Sequence, residues 1–113
     1  MTLAYAYERL AFPVLSTVED PPMSFQDRLL NISRSLVRIV PEEDLPDTQR
    51  KAFLELMERL TRVDDNNSGE GRLAATILQM SDAEAKEILS TLLSLALQIT
   101  RLYAVETATL HGP

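Results

Sequence analysis

A chain of 113 residues with 45% hydrophobic and 25% charged side chains has the size and composition of one domain around one core, and three glycines leave little material for turn-rich β structure. Lys and Arg number 11 against 17 Asp and Glu, a formal charge of -6, so phosphate backbones and anionic lipid surfaces are repelled and neither nucleic acid nor membrane is an expected partner. The absence of cysteine excludes disulfides, thiolate nucleophiles and Cys-based zinc sites, and a reducing cytoplasm is the expected compartment.

The first predicted helix covers residues 2–12, with Leu3, Tyr7, Leu10 and Ala11 on one side and Pro13 as its stop. Glu8 and Arg9 come too soon after the first apolar residues for a secretion signal. Residues 14–22 read as an extended link, because Glu19-Asp20-Pro21-Pro22 discourages helix. Ser24 is placed to cap a second helix, in which Phe25, Leu29, Ile32, Leu36, Ile39 and Val40 recur every three or four residues until Pro41 ends it. Arg34 and Arg38 fall on its wet side. Glu42-Glu43-Asp44 then make an acidic corner just ahead of a third helix, whose positive end they favour. That helix, residues 47–63, turns Phe53, Leu56, Met57, Leu60 and Val63 inward. A polar loop over residues 64–71 and a short helix over 72–80, holding Leu73, Ile77 and Leu78, lead to the last element.

That element is a single long helix from Asp82 to about Leu110, uninterrupted by Pro or Gly. Ser81 and Glu84 have the capping-box spacing, in which the Ser oxygen meets one free N–H and the Glu carboxylate reaches back to another. At about 100° per residue, ten side chains between Ile88 and Tyr103 fill an apolar arc of roughly 220°, where a surface helix needs roughly 100°. The polar remainder, Glu87, Ser90, Ser94, Gln98 and Arg101, is narrow. Those polar residues also keep any stretch from reaching about 18 consecutive apolar positions, so no membrane span is expected. The fold expected is all-α: one domain over residues 1–113, a compact antiparallel bundle of four to five helices with the long C-terminal helix as spine. The shorter helices cover only part of it. The stripe through Leu93, Leu97 and Ala104 is left for a second copy, which makes the chain an expected homodimer.

Candidates for chemistry are few. The one histidine, His111, is two residues from the end of the sequence, where a general base is poorly held. Glu55 with Glu58 and Glu84 with Glu87 are each one helical turn apart, but they lie on polar faces, where nothing raises a carboxyl pKa toward general-acid work. No Glu-x-x-His spacing exists for a bundle metal centre. Arg28, Arg34 and Arg38 on the second helix and Arg50, Lys51, Arg59 and Arg62 on the third are interleaved with Asp27, Glu55 and Glu58, a pattern of ion pairs rather than a phosphate track. No catalytic residue and no cofactor is assigned.

Asp64, Asn66 and Ser68 put side-chain oxygens at the first, third and fifth places of a loop, Gly69 stands at the sixth and Glu70 follows. This segment resembles the first half of an EF-hand calcium loop, and the resemblance implies a divalent cation on Asp64, Asn66, Ser68 and Glu70. The second half departs from it. Gly71 holds the eighth place, where an aliphatic residue is expected, and Ala75 the twelfth, where a bidentate Glu is needed. A helix-helix turn prefers the same Asn, Asp, Ser and Gly residues. The function expected is therefore a non-catalytic dimeric interaction or regulatory module with a possible protein partner. The alternative is a divalent-cation-responsive module built on residues 64–75, and a small-ligand pocket between the helices is the third reading.

Overall fold

The computed structural model describes residues 3–16, 23–64 and 71–110, and among them the only regular structure is helix. Six helices are present: α1 over residues 4–16, α2 Phe25–Leu36, α3 Pro41–Asp44, α4 Asp47–Leu60, α5 Gly71–Leu78 and α6 Asp82–Leu110. The short α3 raises the count above the expected four or five. Pro41 occupies its first position, where no N–H is missed, and the N–H of Val40 donates to Asp44 Oδ2 at 2.7 Å, so the acidic corner closes into one capped turn.

Pro13 does not end α1, which continues to Ser16. The stretch Tyr7–Ala11 is a π turn, in which the N–H of Phe12 reaches the carbonyl of Tyr7, five residues back. An inserted proline lacks a donor and crowds the carbonyl four residues before it, and the wider turn relieves both demands. The link expected to begin at Val14 therefore begins later, and residues 17–22 lie outside the described chain.

Helix α2 also ends sooner than expected, at Leu36 rather than Val40. Pro41 pushes Val40 out of the helical region, to φ -101 and ψ 102, and the N–H of Ile39 turns back to the carbonyl of Leu36 at 3.1 Å. Its start is as read: Ser24 Oγ accepts from the N–H of Asp27. At the head of α6 Ser81 Oγ accepts from the N–H of Glu84 at 3.1 Å, so half of the capping box forms. The Glu84 carboxylate turns instead to Arg62.

Helix α6 spans 29 residues, about 43 Å at 1.5 Å per residue, in a molecule measuring 53 × 30 × 21 Å. α1 runs against it: the N–H of Leu3 donates to Glu106 Oε1 at 2.8 Å, and the rings of Tyr7 and Tyr103 stack with centroids 4.9 Å apart. α4 does so too, from Gln49 beside Gln98 to Arg62 beside Glu84. α2 starts beside the start of α6, where Gln26 Nε2 donates to the Met80 carbonyl and to Asp82 Oδ1. Between these helices lies one continuous core: Leu10, Leu29, Ile32, Leu36, Phe53, Leu56, Leu60, Ile77 and, from the spine, Ala85, Ile88, Leu92, Leu95, Ala96 and Ile99.

Candidate functional site

The spine is covered unevenly. Ala85, Ile88, Leu92, Leu95, Ala96 and Ile99 are buried, whereas Leu93 and Leu97 keep 45% and 53% of their surface and Ala104 is exposed. At about 100° per residue Leu93, Leu97, Thr100, Ala104, Thr107 and Ala108 fall along one line of α6. Thr100 Oγ1 donates back to the carbonyl of Ala96 at 2.7 Å, which satisfies the hydroxyl internally. Between Leu93 and Ala108 this line carries no ionisable residue. Tyr7 of α1 joins Thr100, Tyr103, Ala104, Thr107 and Ala108 around a shallow apolar groove of about 520 Å³, and Phe12, one π turn beyond Tyr7, is 58% exposed. The three residues expected to meet a second copy thus lie on one uncovered, uncharged strip.

By length and composition α6 is, among the described residues, the one helix long and apolar enough to cross a membrane. Ser94, Gln98 and Thr100 interrupt an apolar run without lowering its average hydropathy below that of a span. A core helix of a globular fold passes the same test; six apolar side chains of α6 pack into this core, and 28% of the apolar window is buried.

Of the carboxylate pairs weighed as acids, Glu84 and Glu87 sit in an arginine network. Arg62 holds Glu84 with two parallel bonds of 2.9 and 2.8 Å, and Arg59 stands 3.6 Å from Glu84 and 3.3 Å from Glu87. The hydrogen bond from Arg62 pulls the Glu84 carboxyl below its ordinary pKa, with the nearby charges of Arg62 and Arg59 adding to the effect against the opposing cost of burial. A general acid requires the opposite shift. These contacts also explain the missing half of the capping box: the fork of Arg62 outcompetes the local N–H.

Arg50 has a different task, which its spacing did not disclose. Its guanidinium donates to the carbonyls of Pro41, Glu42 and Leu45 and to Asp47 Oδ1, tying α3 to α4. In the candidate cation loop, Asp64 Oδ1 accepts from Arg72 Nη2 at 2.8 Å, and Gly71 opens α5 at φ +85. Asn66, Ser68 and Glu70 lie outside the described residues, as does His111. Among the described residues no three His, Cys, Asp or Glu side chains gather as a metal set. Tyr5 donates to the Arg38 carbonyl at 3.2 Å and lies under the Arg9 guanidinium, a packing role for that aromatic. No protein-family model matches the chain, and no curated protein or solved structure is significantly similar to it.

Proposed function

We propose that this chain is a non-catalytic helical module that pairs with a second copy of itself through the α6 strip of Leu93, Leu97 and Ala104, leaving its other helical faces for a protein partner. The exposed, uncharged strip on an otherwise core-forming helix carries the reading. A second copy is favoured over an unrelated partner because an isologous contact requires a patch compatible with itself, and a line free of ionisable groups meets that requirement at any register. Over the rest of the surface two copies at -6 each repel.

The strip sets the strength of the pairing. From Leu93 to Ala108 it measures about 22 Å by about 10 Å, well short of the roughly 800 Å² per partner of a standard interface. Tyr7 and Phe12 must therefore join it, and the dimer is expected to be weak. The regulatory role follows from the same property, since a weak pair responds to concentration and to competing partners. Sedimentation equilibrium across concentration and salt is the test. A two-chain mass that strengthens between about 0.02 and 0.5 M salt, as screening shortens the reach of like charges, supports the reading. A one-chain mass under all conditions overturns it, as does flotation of the chain with neutral vesicles, which would assign the strip to lipid.

A further inference from the structure

A second feature is charged and lies toward the start of α6, on the same side of that helix as the strip. Between α1, α2 and α6 is a cleft of about 210 Å³, walled by Val14, Phe25, Leu89 and Leu93, whose ionisable side chains are both cations, Arg28 and Lys86. Neither makes an ion pair among the described residues. Arg28 Nε is enclosed and has no hydrogen-bond partner, which is costly for a charged donor. Arg9 Nε is similarly enclosed, but that guanidinium lies on the Tyr5 ring. Arg28 has no such support.

Arg28 is the fourth residue of α2 and Lys86 the fifth of α6, so both stand near the positive ends of their helices, where a cation is disfavoured. Gln26 fastens those two ends together through Met80 and Asp82. A chain with net charge -6 thus sets two cations and no carboxylate on the wall of one apolar cleft. Neither cation is balanced within the described fold, whereas an anion bound there would answer both charges.

We propose that this cleft binds an organic carboxylate, its head between Arg28 and Lys86 and its apolar body against Phe25, Leu89 and Leu93. The guanidinium fork matches a carboxylate. The volume, equal to about seven waters at ~30 Å³ each, suits a short acyl or aromatic body rather than a long lipid tail. This inference does not rest on self-pairing, and the sample's mass is recorded alongside so that the two can fail separately.

The experiment titrates the ¹⁵N-labelled chain with octanoate, following amide shifts around residues 28, 86, 89 and 93. Saturable binding with a dissociation constant on the order of a millimolar is expected for a ligand of this size, weakened at least about tenfold in R28Q/K86Q, with acetate and 1-octanol each at least about tenfold weaker than octanoate. If the double variant melts early, K86Q alone, at an exposed position, serves. Octanol binding as well as octanoate would show a merely apolar cleft, and an unchanged affinity in the variant would place the ligand elsewhere. Binding seen only after E19Q/D20N would mean that the cations answer the chain's own acids in the 17–22 link. Each of these results, like the absence of saturable binding, overturns the proposal.

Discussion

Leu97→Asp is the sharpest test of self-pairing, because its cost is small in the single chain and large in the pair. Leu97 keeps 53% of its surface in the single chain. Full burial of a Leu side chain is worth about 1.5–3 kcal/mol, so pairing would gain about 1 kcal/mol per copy at this position. The two-fold operator doubles that to about 2 kcal/mol, roughly 30-fold in affinity. Asp forfeits this gain and adds the penalty of placing two carboxylates in a shared apolar contact, several kcal/mol more. A combined loss of about 5 kcal/mol corresponds to three to four decades in dissociation constant. Within the single chain the substitution loses only the packed half of Leu97 and some helix propensity, about 1–2 kcal/mol. Sedimentation equilibrium should therefore show one-chain mass for L97D at concentrations where the parent is paired, with a cooperative thermal transition retained. Leu54, 47% exposed on α4, provides the control: L54D should leave the mass unchanged. Retention of the two-chain mass in L97D, or equal dissociation in L54D, would refute the reasoning.

Three further outcomes are expected from the network residues. Because Arg62 lowers the Glu84 carboxyl below its ordinary value of 4.5, the stabilisation is complete above that value and is lost as pH falls through the lower, folded value. R62A should thus cost about 1 kcal/mol near pH 7 and almost nothing near pH 2, read from urea midpoints at each pH. R50K should cost about 1–2 kcal/mol in chemical denaturation, because an ammonium cannot reach three carbonyls in one plane. Calcium must displace Arg72 from Asp64, and without a bidentate twelfth ligand millimolar calcium should leave the melting temperature unchanged. A site with a dissociation constant of about 10 μM would instead stabilise by about 2.7 kcal/mol at 1 mM ion, a shift that calorimetry would detect.

The core was legible because burial imposes a period. Leu29, Ile32 and Leu36, and Phe53, Leu56 and Leu60, recur at three and four residues, and all are buried; the caps at Ser24 and Ser81 were legible from spacing alone. Boundaries failed where a proline acted at a distance. Pro41 forced Val40 out of the helix and so ended α2 four residues early, while Pro13 was absorbed by the wider turn that precedes it. Helical spacing shows which residues share a face, but not whether that face is covered.

The long-range partners were illegible for a stricter reason. Glu84 fits the capping box locally, yet its carboxylate is taken by Arg62, 22 residues away, and only the antiparallel packing of α4 on α6 brings them together. Arg50 likewise looked like one more exposed cation until α3 folded over it. These contacts decide what the surface retains for partners. Arg50, Arg59 and Arg62, weighed as part of a basic patch, are committed to carbonyls and carboxylates within the fold, so α4 has little positive charge left for a phosphate backbone. Recognition is then left to the uncharged α6 strip and to the cleft of Arg28 and Lys86. Both include Leu93, so a ligand in the cleft and a second copy on the strip are expected to influence each other through its packing.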